Sequence, residues 1–121
     1  MKKILVADDD AGILRLLKTL MELEGNQVAT VTRPEEIIPA IERERPALVL
    51  MDYHLAGGDV LETLRRMKAD DALRRVPVLV TSGIDCETAC REAGAESFIL
   101  KPFRPAQLLE RVREMSSFQN D

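Results

Sequence analysis

Leu48-Val49-Leu50-Met51-Asp52 decides the fold, because four apolar residues in a row end at a carboxylate. Pro46 precedes this stretch and Gly57-Gly58 follows it, so turn-forming residues bound it on both sides. A short, continuous apolar run predicts a strand that is buried on both faces of a parallel sheet. In an open parallel sheet, ligands bind just beyond the carboxyl ends of the strands. Asp52 is therefore the first candidate for a functional residue.

Further apolar runs along the chain alternate with segments of helical periodicity. The runs predict strands at 4–7, 27–32, 47–51, 76–81 and 97–100, with a helix after each. Apolar strands that alternate with helices favour a parallel sheet covered on both faces. The predicted fold class is α/β, a single doubly wound (βα)5 domain with a five-stranded parallel sheet of the flavodoxin-like type. It is expected to span 1–116, followed by a frayed polar end at 117–121.

Composition restricts the class of protein. The 121 residues are 45% hydrophobic, which suits one compact domain. A net charge of −4 with both signs interspersed argues against direct nucleic-acid binding. No apolar run approaches the roughly 18 residues of a membrane span or a signal peptide's longer apolar region. Two cysteines form neither a disulfide framework nor a complete metal site. We expect a cytoplasmic protein without membrane contact.

Two helix starts are predicted from local signals. Thr32 and Glu35 have the spacing of a capping box before the second helix, and Pro39 predicts that this helix is kinked or starts late. Asp85 is predicted to cap the fourth helix, which places both cysteines on its buried face. Cysteines in that position act as small apolar core residues more often than as a redox pair.

Polar side chains follow four of the predicted strands. Asp8 and Asp9 follow the first, Asp52 ends the third, Ser82 ends the fourth and Lys101 ends the fifth. These ends meet at one edge of a parallel sheet, so we expect one small site there. Clustered carboxylates raise one another's pKa unless a cation compensates. Oxygen ligands without a set of Cys or His favour Mg2+, or Mn2+, over zinc or copper.

The same residues suit phosphoryl transfer. Asp52 would be the nucleophile and form an acyl phosphate, while Lys101 and the Ser82 hydroxyl would neutralise and hydrogen-bond the phosphoryl oxygens. An acidic run on its own is more often a solvated turn or a helix cap than a metal site. Asp8 and Asp9 are nevertheless favoured as metal ligands, because Asp52 and Lys101 occur where the fold predicts them.

Five short motifs occur in a fixed order along the chain. They are Ile4–Asp10, Leu48–Asp52, Pro77–Ser82, Ala93–Ala95 and Lys101–Phe103. Together they resemble the receiver domain of two-component response regulators over about residues 2–115. Each motif is weak alone, whereas five in the right order at the right strand ends are specific.

The resemblance implies a role for each site residue. Asp52 resembles the phospho-acceptor, which takes its phosphoryl group from a sensor histidine kinase or a phosphotransfer protein. Asp9 is expected to bind Mg2+ directly, and Asp8 through water or as a second ligand. Asp52 itself and the backbone carbonyl of His54 complete the implied metal ligands. Lys101 matches the phosphate-binding lysine.

The resemblance also implies a conformational switch. Ser82, favoured over Thr81 by its spacing from Asp52 and Pro77, matches the switch hydroxyl. Phe98 matches the aromatic residue that turns inward on activation, and its alternative role is that of a permanent core residue. In this family the peptide bond before the residue that Pro102 matches is cis. The domain is then no enzyme beyond its own phosphoryl transfer and dephosphorylation. Its effect is expected to pass to an unknown downstream protein or to an output domain outside these 121 residues.

The chain departs from the family pattern near the site. Ala56 replaces a common proline, and Val60 replaces a common glycine, while Gly57-Gly58 adds freedom to the loop between them. The segment 82–101 is about one helical turn shorter than usual, which shortens the fourth helix. These departures affect the expected docking of partners on the output face more than the expected phosphoryl transfer at Asp52.

Two other functional classes stay open at this point. The chain could be a phosphorylation-independent interaction or scaffold domain on the same fold. A phosphohydrolase or nucleotide-binding enzyme is less favoured, because the phosphate-binding GxxxxGK and GxGxxG patterns are missing and no carboxylate stands two residues after Asp52. His54, the only histidine, could act as a base or ligand. We favour a solvent-facing side chain at the rim of the site, with a modest effect on phosphoryl lifetime.

Overall fold

The computed structural model describes residues 2–117, in which five strands alternate with five α-helices. The strands are β1 Lys3–Ala7, β2 Gln27–Val31, β3 Leu48–Asp52, β4 Val78–Ser82 and β5 Ser97–Leu100. The helices are α1 Ala11–Leu23, α2 Ile37–Glu44, α3 Val60–Ala69, α4 Glu87–Glu92 and α5 Pro105–Ser117. Among these helices, none is long and apolar enough to cross a membrane. The predicted α/β class is confirmed.

The five strands form one parallel sheet in the order β2-β1-β3-β4-β5. This is the flavodoxin-like order of a doubly wound sheet, as predicted. Strand β3 lies in the middle, and all five of its residues are buried. The carboxyl ends of all the strands meet at one edge, which places Asp52 at the centre of that edge.

Two hydrophobic cores lie on opposite faces of the sheet. Val49 and Met51 of β3 pack in one core with residues of α2, α3 and α4. Leu48 and Leu50 pack in the other with residues of α1 and α5. Because both faces of β3 are covered, every position of the strand favours an apolar side chain. This explains the continuous apolar run that ends at Asp52.

Carboxylates at the site edge also start two helices. Asp10 Oδ1 accepts hydrogen bonds from the N–H groups of Gly12 at 2.9 Å and Ile13 at 3.1 Å, and so caps α1. Asp59 caps α3 in the same way. Val60, the first residue of α3, is 2% exposed, so the side chain that replaces the usual glycine extends the core. Such caps stabilise a helix by roughly 1 kcal/mol each.

Helix α2 starts late, as Pro39 predicts. The chain first makes a short 3₁₀ helix at Pro34–Glu36, and the α-helix begins at Ile37. Pro39 therefore lies in the first turn of α2. An N–H group there has no acceptor within the helix, so the missing N–H of proline costs no helical hydrogen bond.

Two predicted helix caps are wrong by one residue. Glu36 rather than Glu35 accepts the two backbone N–H groups that precede the 3₁₀ turn, each at 3.1 Å. Helix α4 begins at Glu87 with Cys86 as its N-cap. Asp85 is one position too early, and its Oδ1 lies 3.4 Å from the Glu87 nitrogen.

Helix α4 has only six residues and carries both cysteines near its start. Cys90 is fully buried and Cys86 is half-buried, and both are free thiols with their sulfurs 3.7 Å apart. Burial of Cys90 agrees with the predicted core role. Helix α5 continues to Ser117. The rest of the predicted frayed end, 118–121, lies outside the described residues.

A half-buried lysine joins the amino ends of β4 and β5, at the edge opposite Asp52. Lys68 Nζ donates to the carbonyls of Arg74 at 3.0 Å and Val76 at 2.9 Å, and to Glu96 Oε2 at 2.7 Å. Glu96 Oε1 accepts the N–H of Val78 at 2.8 Å. One side chain from α3 thus connects the loop before β4 with the residue before β5.

Candidate functional site

Three carboxylates converge where β1 and β3 end. Asp8 and Asp9 directly follow β1, and Asp52 is the last residue of β3. One oxygen from each of them lies within 4.8 Å of the other two. Asp8 and Asp52 are buried, at 3% and 7% exposure, whereas Asp9 is exposed. The two strands are neighbours in the sheet, which brings together the residues that the sequence predicted.

Backbone N–H groups hold all three carboxylates in place. The N–H of Asp10 donates to Asp8 Oδ1 at 2.9 Å, that of His54 to Asp52 Oδ1 at 3.1 Å, and that of Ala56 to Asp9 Oδ2 at 3.2 Å. Each carboxylate can rotate only by breaking such a bond. The site is therefore already ordered by the main chain.

Lys101 brings the positive charge to this cluster. Its Nζ lies 3.3 Å from Asp52 Oδ2 and 4.0 Å from Asp8 Oδ2. The residue directly follows β5, and its backbone N–H donates to the Ser82 carbonyl at 2.8 Å. The next peptide bond, Lys101–Pro102, is cis, as the resemblance implies. The ammonium group thus reaches across β4 to the centre of the site.

The site carries more negative charge than Lys101 compensates. Burial raises the pKa of the Asp8 carboxyl, and the nearby charge of Asp52 raises it further, while the Asp10 N–H and Lys101 act in the opposite direction. Three carboxylates against one ammonium group favour a divalent cation. The donors in the cluster are all oxygens, which fits Mg2+ or Mn2+.

The two candidate switch residues are both buried. Ser82 ends β4 with no exposed surface, and its Oγ accepts the N–H of Ile84 at 3.1 Å. Phe98 in β5 is 8% exposed and packs in the core with side chains of α3 and α4. The hydroxyl and the aromatic ring therefore lie on adjacent strands, and neither faces the solvent.

His54 lies at the rim, with an exposed side chain whose ring meets Tyr53 edge-on at 4.9 Å. Its backbone N–H, rather than its imidazole, contacts Asp52. Sequence reasoning missed the contributions of the Asp10 and Ala56 amides. Nearly every residue has a backbone N–H group, so residue identity does not show which of these groups bind a carboxylate. Only the positions of Asp10 and Ala56, two residues after Asp8 and four after Asp52, could have indicated these donors.

Comparison with known proteins identifies the family. The family model described as the response regulator receiver domain matches residues 4–113. The chain belongs to this family. Receiver domains are signalling domains, and the fold and the acidic edge described above agree with that class.

Several known receivers resemble this one. The DNA-binding response regulator MtrA of Mycolicibacterium paratuberculosis is 34% identical over 116 residues, which are 93% of this chain and 50% of that protein. This receiver spans about half the length of the curated relatives it matches.

Solved structures agree in fold. A CheY-like receiver domain protein from Methanospirillum hungatei superposes with a TM-score of 0.91 at 29% identity, covering 99% of this chain and 97% of that one. The BeF3-activated receiver domain of RstA from Klebsiella pneumoniae gives 0.85 at 28% identity, covering 94% and 97%.

Proposed function

We propose that Asp52 accepts a phosphoryl group in a Mg2+-dependent reaction and that its phosphorylation changes an output surface of the receiver. The donor is a phosphohistidine of a sensor histidine kinase or a phosphotransfer protein. The observation that carries this proposal is the 3.3 Å contact of Lys101 Nζ with Asp52 Oδ2 beside two further carboxylates.

Three groups of the chain have separate roles in the phosphoryl transfer. Asp52 Oδ1 is held by the His54 amide, so Oδ2, on the side of Lys101, attacks phosphorus. The new P–O bond forms as the P–N bond to the donor histidine breaks, and that histidine keeps the electron pair. Lys101 stays close to the phosphoryl oxygens and offsets their charge. The barrier falls mainly because these groups are positioned in advance.

The acidic cluster would hold the cation. Asp9 would bind it directly, Asp8 through water or as a second ligand, and Asp52 and the His54 carbonyl would complete the protein ligands. When bound, the ion supplies positive charge to the phosphoryl oxygens. Asp9 suits the direct contact because it is the exposed member of the cluster, accessible to a hydrated ion.

The proposed switch starts at Ser82. Its Oγ accepts one N–H, from Ile84, and still has its own hydroxyl proton to donate. A phosphoryl oxygen on Asp52 offers that proton a charged acceptor, which draws the start of the β4–α4 loop toward the site. Phe98 already packs in the core, so its side chain would shift with α4 rather than turn inward from the solvent. The population of two conformations shifts as a result.

Intact-mass spectrometry tests the phosphorylation. The protein is incubated with acetyl phosphate, with Mg2+ or with EDTA, and compared with Asp52→Asn and with the surface control Asp71→Asn. We expect one labile phosphoryl group on the wild type and on the control, only with Mg2+, and none on Asp52→Asn. Transfer from a purified phosphohistidine protein, run in parallel, excludes a merely slow small-molecule donor.

Other outcomes would identify the other classes. If neither donor modifies the wild type, the receiver acts as a phosphorylation-independent interaction domain. Continuous phosphate release from many substrates would indicate a hydrolase. The proposal further places the receiver in the cytoplasm, with its output through a downstream protein or an attached output domain. It assigns no contact with nucleic acid or membrane to this domain itself.

A further inference from the structure

Two glycines of the loop after Asp52 pack directly against the loop after β2. A Cβ added to Gly57 would lie 2.9 Å from Nη2 and 3.2 Å from Cζ of Arg33. A Cβ added to Gly58 would lie 3.0 Å from both Cβ and Cγ of Pro34. Both contacts are close: at Gly57 a side chain would have to displace the Arg33 guanidinium, and at Gly58 it would press on the stiffer Pro34 ring. We call the contact between Arg33-Pro34 and Gly57-Gly58 the loop clamp.

Arg33 is held firmly on its own side of the loop clamp. Its backbone N–H donates to Glu36 Oε1 at 3.1 Å, and its Nε is paired with Glu35. Pro34 is buried and begins the 3₁₀ helix. The Arg33 side chain is 56% exposed, and its guanidinium lies over Gly57 while Glu35 pairs with it from its own loop.

The other side of the loop clamp leads to the acidic cluster. Ala56 immediately precedes Gly57, and its N–H donates to Asp9 Oδ2 at 3.2 Å. Alanine leaves its own φ angle free, whereas a proline at this position would fix that angle and remove the N–H. The Ala56 amide is therefore available to Asp9, and the loop clamp lies directly beside it.

We propose that Arg33 is a positioning residue for the acidic site. Its guanidinium, packed on Gly57, holds the Ala56 N–H on Asp9 and so orients the Asp9 carboxylate toward a divalent cation. Arg33 touches neither the cation nor the phosphoryl group. Because the cation belongs to the proposed function, on which this inference rests, the first measurement below needs no cation.

The first measurement is the exchange rate of the Ala56 amide with water, followed by NMR in EDTA. Arg33→Ala removes the guanidinium, and Gly57→Ala displaces it with a methyl group. We expect each variant to speed exchange by about threefold or more, the equivalent of losing roughly one net hydrogen bond. The double variant should exchange no faster than the faster single variant, because both changes break one contact.

Gly25→Ala is the matched control for Gly57→Ala. Gly25 has φ 90° and Gly57 has φ 92°, so alanine meets the same unfavourable φ at both positions. At Gly25, however, the added Cβ meets nothing within 4 Å. We expect this control to leave Ala56 exchange at the wild-type rate. Unchanged exchange in Arg33→Ala, or effects of the single variants that simply add, would overturn the proposal.

The second measurement is Mg2+ affinity, read from Tyr53 fluorescence. Tyr53 is the only tyrosine, the chain has no tryptophan, and the residue adjoins Asp52. Arg33→Ala should weaken Mg2+ binding by about threefold to tenfold, as expected for the loss of one outer hydrogen bond. Equal affinity in wild type and variant would contradict a role toward the cation. If the wild type binds no Mg2+, the proposed function fails, while the exchange rates still decide whether the loop clamp exists.

Discussion

Replacing Asp8 with asparagine measures how strongly the acidic cluster repels itself. The buried carboxylate of Asp8 has an oxygen within 4.8 Å of an oxygen of Asp52, and two unit charges at that separation repel by about 3.5 kcal/mol at an effective dielectric constant of about 20. Asp9 adds roughly 1 kcal/mol, because its exposure lets water screen the charge. The attraction between Asp8 and Lys101, whose Nζ is 4.0 Å away and whose side chain is 30% exposed, offsets roughly 2 kcal/mol of this repulsion.

The balance predicts that Asp8→Asn stabilises the metal-free protein by about 2.5 kcal/mol. Asparagine keeps an oxygen for the Asp10 N–H, so that hydrogen bond is retained. For a domain of this size the melting temperature should rise by about 6–10 °C. The assay is urea unfolding in EDTA, with Asp71→Asn as control, since the Asp71 side chain is 90% exposed and its loss should change stability by less than about 0.5 kcal/mol.

The effect of Asp8 depends on pH in a defined direction. The pKa of Asp8 is raised in the folded state, so the folded protein keeps this proton to higher pH than the unfolded chain does. Asp8 then contributes nothing below about pH 4, and destabilises increasingly as pH rises through its folded-state pKa. The stability gap between Asp8→Asn and wild type should therefore widen from pH 4 to pH 7.

Two results would refute this reasoning. The first is that Asp8→Asn is less stable than wild type in EDTA at pH 7. The second is that the stability gap between the two proteins is the same at pH 4 and at pH 7. With Mg2+ the gap should narrow, since a ligand at 100 times its dissociation constant stabilises the wild type by about 2.7 kcal/mol and the variant by less.

Two further predictions concern the glycines and the cysteines. Gly94→Ala should destabilise by about 3 kcal/mol and Gly25→Ala by about 1 kcal/mol in urea unfolding. Both glycines have positive φ, but a Cβ at Gly94 would lie 2.5 Å from Lys68 Cγ, while one at Gly25 meets nothing within 4 Å. Equal losses would contradict a role for the Lys68 contact. Iodoacetamide at pH 8 should modify Cys86 and spare Cys90. Burial and, to a smaller extent, the neighbouring Cys86 thiol raise the pKa of Cys90 to about 12. Peptide masses report the result, and equal labelling of both thiols would be inconsistent with this burial.

Sequence reasoning predicted the sheet and the position of the acidic edge because those depend on side-chain patterns. An apolar strand that ends in Asp52 can only be covered on both faces, and its carboxyl end then lies beside Asp8. The caps of α2 and α4 were wrong because they depend on one turn of backbone geometry. A 3₁₀ turn at Pro34 brings Glu36 rather than Glu35 to the preceding amides.

The contribution of Ala56 could not have been predicted from its identity. The Ala56 N–H, not its side chain, contacts Asp9, and the following glycine lies against Arg33. The pairing of Arg33 with Gly57 joins residues from two loops far apart in the chain. No local pattern in the sequence records it.

The lysine that joins the amino ends of β4 and β5 has a consequence for signalling. Lys68 and Glu96 tie together the strand ends farthest from Asp52, whereas Ser82 and Lys101 stand at the other ends of the same two strands. A change at the acidic edge therefore acts on strands whose opposite ends are fixed. Under the proposed switch, the fixed far ends of β4 and β5 would direct a small displacement near Ser82 toward α4 rather than into a movement of the whole sheet.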